Sequence, residues 1–352
     1  MHAAVSRKMM LVLAVILGCA MPAARGAEPT AWPVPDWQTA RPAEVGLSAA
    51  GLAKVREWHE KNGSKTGLVV RHGRVAAEWY FGDAAASTKY LVFSTSKSFA
   101  STAAGLLITD GKLKLDTTVG EVLPDVKPDG KRAVTVKQLL SMTSGVHNKP
   151  LNDEPKVFSY SLYEAPMDYP PGSKWDYNNC GLSLLSPVIK KTSGQELDQL
   201  LDKRIFQPIG IRRDDWSWDQ VEGRTLPYSG LHITARALAR FGLLFLNRGQ
   251  WQDQQLLPAD WVKEATAPSQ AMNKAYGYLW WNNTTGRWPT VPRDAYAALG
   301  HLDNDMLIVP SLDLIVVRQV GDDPASKGKK RDIGQLWSLA VEAVQTPGMA
   351  RR

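Results

Sequence analysis

Cysteine occurs only twice in 352 residues, at Cys19 and Cys180. At most one disulfide can form, and none if Cys19 leaves with a leader, so core burial rather than cross-linking has to hold this fold. Long apolar runs are equally scarce. Met9 to Cys19 is the longest candidate, and it is too short to span a bilayer as a stable helix. Neither sign of charge dominates: Lys and Arg number 42 against 35 Asp and Glu, a net charge of +7. The basic cluster Lys327–Arg331 is flanked by Asp322, Asp323 and Asp332 and reads as a solvated loop, so no nucleic-acid partner is expected. A Gly-x-Ser-x-Gly elbow is missing, which excludes an ordinary α/β-hydrolase. His59-Glu60 lacks the second histidine of a zinc helix.

The composition is that of an ordinary globular protein, with 44% hydrophobic and 22% charged residues. Its 13 tryptophans hint at an aromatic-walled cleft. Arg7 and Lys8, the apolar run after them, and the small residues Ala23 to Ala27 predict a signal peptide over residues 1–26. The expected location is therefore periplasmic or secreted. Ile16-Leu17-Gly18-Cys19 offers a weaker alternative, a lipid anchor on Cys19. Removing 1–26 takes away Arg7, Lys8 and Arg25 and lowers the net charge from +7 to +4.

Residues 27–46, rich in proline and alanine, predict a surface arm, and 346–352 a tail. Between them, 47–345 reads as one domain. A helix is expected from Ser48, its N-cap, to Lys61, with Leu52, Val55 and Trp58 inward. A hairpin follows around His72-Gly73. Helices are predicted from Ser94 to before Asp110, over Val136–Ser141, Gly181–Lys191, Gln195–Phe206, Ala235–Asn247 and Pro258–Ala265. Strand patterns return at Tyr276–Trp281, Ala295–Leu299, Asp305–Val309 and Leu312–Val320, before a last helix, Ile333–Val344. The expected class is α+β: an antiparallel sheet from 47–93 and 271–345 flanked by terminal helices, with a helical lobe, 94–270, inserted.

Ser94-Thr95-Ser96-Lys97 places a hydroxyl and an amine at i and i+3, about 5–6 Å apart on one face of a helix. A desolvated lysine can be neutral and accept the serine proton, so no histidine is needed. The pattern alone is weak; Ser326 to Lys329 repeats it within a charged loop. Three companions give it weight: Leu140-Ser-Met-Thr-Ser-Gly145, Pro171-Gly172 leading to Tyr177-Asn178-Asn179, and Ala239–Gly249 leading to Leu257–Trp261. A phenol at Tyr177 can relay protons, and an adjacent lysine ammonium favours its phenolate form. Asn179, in an extended segment, would share that face, whereas Asn178 is read as structural.

In this order and spacing the chain resembles the serine β-lactamase and penicillin-binding superfamily over about residues 45–345. The branch it is most similar to holds class C β-lactamases, related esterases, D-amino-acid peptidases and 6-aminohexanoate-dimer hydrolases. The resemblance implies a β-lactamase/transpeptidase-like fold without cofactor. Ser94 would be the nucleophile, with Lys97 and Tyr177 as the base pair. Asn179 would bind substrate, the Ala298 N–H would join that of Ser94 at the oxyanion, and Trp281 would line the pocket. One family element is missing. No Lys-Thr-Gly occurs in the corresponding slot, which falls on Ala295-Tyr296-Ala297, with Gly300-His301 just beyond.

The expected activity is therefore hydrolysis of a small ester or amide. A β-lactamase or D-alanyl carboxypeptidase is the second reading, and a non-hydrolytic penicillin-recognising protein the third. His301, Asp303 and Asp305 alternate and would share a strand face, yet a polar turn is favoured over a metal site.

Overall fold

The computed structural model describes residues 31–151, 155–323 and 332–345. The predicted leader, Cys19, the Ser326–Lys329 repeat, the Lys327–Arg331 cluster and the tail 346–352 lie outside the described residues.

Six antiparallel strands form the main sheet: β1 (Thr66–Arg71), β2 (Arg74–Tyr80), β3 (Trp281–Asn282), β4 (Tyr296–Ala298), β5 (Asp305–Val309) and β6 (Leu314–Gln319). They lie in the order β3-β4-β5-β6-β1-β2, so the first hairpin pairs with the last strand and closes the two ends of the chain on each other. The hairpin turns at His72 and Gly73, both at positive φ (51° and 69°), which matches the right-handed twist of the strands it joins.

Strands β1 and β6 are buried at every position but Arg71 because both faces of the sheet are covered. Leu68 and Val70 sit across from Val317 and Ile315 and point into one core. Val69, opposite Val316, points into the other. That second core is closed by α1 (Ala49–Lys61), capped by Ser48 as predicted, and by the final helix, Ile333–Glu342. The first core holds α2 (Ser96–Thr109) and the helix Ala235–Leu246 between sheet and lobe. Each aliphatic side chain buried in these layers contributes about 1.5–3 kcal/mol.

Several boundaries move. Gln195–Phe206 divides into Leu197–Leu201 and a wider turn over Asp202–Phe206, and Pro258 caps the helix Ala259–Thr266 rather than starting it. Tyr276–Trp281 is not a strand; only Trp281–Asn282 pairs in the sheet. Its backbone bonds go elsewhere: Tyr278 N–H to Ala265 and Leu279 N–H to Leu140, with Leu279 at φ 62°. A small sheet of Tyr90–Leu91, Leu231–Ile233 and Trp216–Trp218 was not anticipated. It delivers the chain to Ser94. The arm, from residue 31 onward, is tied down through a parallel bridge of Thr39 with Val75 and the buried Trp37, whose Nε1 donates to the Arg236 carbonyl at 3.0 Å.

Candidate active site

The serine-rich run before α2 is an anchoring device. Thr95 Oγ1 donates to the Asn304 carbonyl (2.7 Å), Ser98 Oγ donates to the Leu279 carbonyl (2.9 Å), and Ser96 Oγ accepts from Leu231 N–H (3.2 Å). Three separate segments thus grip the first turn of a helix that is buried from Ser96 to Leu107. Ser94 itself occupies a 3-10 turn, Phe93–Thr95, entered through Phe93 at φ 46°. Positive φ at a bulky residue is costly, and here the flanking bonds hold it in place.

Lys97 Nζ lies 2.8 Å from Ser94 Oγ and donates to the Tyr228 carbonyl at 3.1 Å. It is 1% exposed, and no carboxylate among the described residues pairs with it. Burial therefore pushes its pKa well below the ordinary lysine value, toward the neutral amine. The Tyr177 ring centre lies 4.7 Å from the same Nζ, and its hydroxyl is hydrogen-bonded to Ser94. Burial pushes the Tyr177 phenol up to about 12, opposed by the bond to Ser94. Burial thus favours the neutral form of both groups, against the ammonium and phenolate pairing that the sequence suggests. Tyr177, far along the chain, thus meets the Ser94 and Lys97 pair at one point.

The other predicted residues divide. Trp281 stands beside the cluster, stacked on Tyr177 with centroids 6.1 Å apart, and Tyr276 meets Tyr177 edge-on at 6.1 Å. Their chain neighbours Tyr278 and Trp280 pack in the core, against Trp261 and Phe245. Asn178 caps a helix, its Oδ1 accepting from Gly181 N–H at 2.7 Å. Asn179 begins that helix rather than continuing an extended segment, because Asn178 turns the backbone. The Asn179 Oδ1 is buried without a partner among the described residues.

Ala298 ends β4, and the chain beyond it runs against the nucleophile turn. A Cβ on Gly300 would come within 2.3 Å of the Val92 carbonyl, so only glycine allows this approach. His301 packs edge-on against Phe93. His301 to Asp303 forms a 3-10 turn kinked at Leu302 and Asp303, both at φ 61°, so the alternation that a strand would give is lost. Among the described residues no group of three potential ligands could hold a metal ion. Asp305 points elsewhere: fully buried, it accepts from Gly300 N–H at 2.8 Å, and burial raises its pKa to about 8.

Two residues escaped the sequence reading. Tyr228 orients Lys97 through its backbone carbonyl, and no side-chain pattern could have announced that. Arg318, buried in β6, donates from Nη1 to the Leu302 and Asp303 carbonyls (3.0 and 2.8 Å) and so braces the kinked turn from behind. A lone arginine in an apolar strand was the available signal.

A family model described as Beta-lactamase matches residues 66–332. The chain belongs to the Beta-lactamase family. That makes it an enzyme of the serine hydrolase type. An uncharacterised protein of Alkalihalophilus pseudofirmus is 20% identical over 290 residues, 71% of this chain and 82% of its own. Esterase EstB of Burkholderia gladioli is 28% identical over 164 residues, covering 40% of this chain but only 42% of the esterase. Among solved structures, one from Bacillus anthracis named a putative 6-aminohexanoate-dimer hydrolase superposes with TM-score 0.72 at 21% identity, over 88% of each chain. At that identity the superposition establishes the β-lactamase-like fold. Among the described residues, no helix is long and apolar enough to cross a membrane.

Proposed function

We propose that this member of the family hydrolyses a small ester or amide through an acyl-enzyme on Ser94. The observation that carries the proposal is the 2.8 Å contact between Ser94 Oγ and a buried Lys97 amine that has no carboxylate partner among the described residues. The neutral Nζ takes the serine proton as Oγ attacks the substrate carbonyl. The tetrahedral oxyanion is stabilised by the N–H groups of Ser94 and Ala298. As the intermediate collapses, the Tyr177 phenol gives its proton to the leaving oxygen or nitrogen and is resupplied from Lys97. Water then enters, loses a proton along the same path in reverse, and releases the acid. No metal or cofactor takes part in these steps.

Two features favour a neutral ester or amide over a β-lactam or a D-alanyl peptide. Neither register for the family's third motif, Ala295-Tyr296-Ala297 or Gly300-His301, gives the Lys-Thr-Gly sequence. The wall beside Tyr177 is aromatic, made by Trp175, Tyr276 and Trp281. Export rests on residues 1–26, and N-terminal sequencing of the mature protein tests it.

The test of the chemistry is labelling with a fluorophosphonate, expected in the intact protein and absent in Ser94→Ala. Turnover of p-nitrophenyl esters with no turnover of nitrocefin is the expected substrate pattern. Full activity in Ser94→Ala would overturn the mechanism, and efficient nitrocefin hydrolysis would overturn the substrate class.

A further inference from the structure

A cavity of about 620 Å³ opens at the Ala295 end of β4, between the helix Ala259–Thr266 and the end of the helix Ala235–Leu246. The nucleophile turn meets the chain beyond the other end of that strand, at Gly300. None of the residues of the Ser94 cluster lines this cavity. Its size falls in the range of small-molecule sites, about 300–1,000 Å³.

Its floor is apolar, with Phe245 and Val262, and is interrupted by two buried polar groups. Tyr296 is 5% exposed and its hydroxyl makes no hydrogen bond to any described residue. Asn282 is 2% exposed; its Oδ1 accepts from Thr284 N–H, which fixes the amide orientation and leaves the Nδ2 buried without a partner. Buried polar groups are rarely left unpaired, because each one costs about 1–3 kcal/mol. The Asn282 Nδ2 at the cavity wall is such a donor, left for something that enters.

The rim supplies charge. Arg248, Arg293 and Lys263 face Asp260 and Asp294, and the Asp294 carboxylate is already taken by the Ser311 N–H (2.6 Å) and hydroxyl (3.0 Å). The exposed Arg293 guanidinium lies against the turn at Gly286, whose φ of 74° favours glycine there. An apolar floor, donors without acceptors, and a surplus of cations at the mouth fit one ligand chemistry.

We propose that this cavity binds a small amphipathic carboxylate, its apolar body on Phe245 and Val262 and its carboxylate between Tyr296, Arg248 and Arg293. The site does not depend on the hydrolase reading. It is tested on Ser94→Ala protein, where no substrate is consumed, by calorimetric titration with 4-phenylbutyrate and with its neutral analogue 4-phenylbutanamide. Saturable binding of the acid is expected, equal in the intact and Ser94→Ala proteins, with the amide at least about tenfold weaker. Tyr296→Phe should weaken the acid about three- to tenfold. Arg248→Ala with Arg293→Ala should erase the preference for the acid, and Thr266→Trp, which fills the mouth, should abolish binding. The proposal is overturned by absence of saturable binding, by equal affinity for the amide, or by binding that Thr266→Trp leaves unchanged. The exposed Arg248 and Arg293 variants keep the test decisive even if Tyr296→Phe does not fold.

Discussion

Ser94 and Lys97 face the Gly300–Asn304 turn across the candidate active site, and the two sides are built by opposite means. On the helix side, two side chains one turn apart are aligned by the helical repeat itself, and three hydroxyls lock that turn to its neighbours. On the strand side there is no local motif. A kinked turn with two residues at φ 61° is held by Arg318 from β6, by Asp305 from β5 and by Thr95 from the opposite wall. The first side carries its geometry in four consecutive residues. The second borrows it from distant ones, so chemistry should be lost abruptly on one side and precision gradually on the other.

The sharpest way to break the comparison is at the nucleophile. Ser94→Ala should lower kcat/KM by at least about 10⁴-fold with an unchanged circular dichroism spectrum. Lys97→Met should be nearly as severe in activity yet leave Tm equal or higher, because it replaces a buried amine with an apolar chain of similar length. A clear fall in Tm would mean that the amine is structural.

Tyr177→Phe should cost about 10²–10⁴-fold in kcat with a smaller change in KM, since the phenol moves protons rather than gripping substrate. With Lys97 required neutral, kcat/KM should rise with pH through its lowered pKa. A second, falling limb from Tyr177 should appear only toward pH 12, where burial has pushed it.

On the strand side, Arg318→Ala should destabilise by roughly 3 kcal/mol, because two buried carbonyls lose their donor. Its kcat should fall modestly, about tenfold, through displacement of the turn. Wild-type kcat in a folded Arg318→Ala protein would separate the turn from catalysis.

The last effect concerns stability rather than activity and runs through Asp305. Its pKa is raised from 3.8 to about 8, so the folded state keeps a proton that the unfolded chain has released. The stability this gives is fully present below about pH 4 and is lost as pH rises toward about 8. Denaturant midpoints should decline across that window in the wild type. Asp305→Asn, which preserves the acceptor for Gly300 N–H, should flatten the decline.

Much of this organisation is legible in the chain. Ser48 as a cap, the His72-Gly73 turn and the apolar face of the first helix follow from local chemistry. The aromatic run Tyr276–Trp281 misled for a physical reason. Its alternation suits a strand, but Leu279 at positive φ and bonds to Leu140 and Ala265 place most of it in a loop. Asn179 misled similarly: reading two residues as one face assumes an extended backbone, and Asn178 caps a helix there. The small sheet around Tyr90 was hidden because strands of two or three residues carry no periodicity.

The residues alone determined which groups could do chemistry, since hydroxyl, amine and phenol are properties of side chains and helical spacing aligns the first two. Only the tertiary structure decided their state. Closing the lobe over the sheet strips water from Lys97 and Tyr177, and desolvation rather than any neighbouring charge shifts the amine toward the neutral form that the proposed mechanism requires.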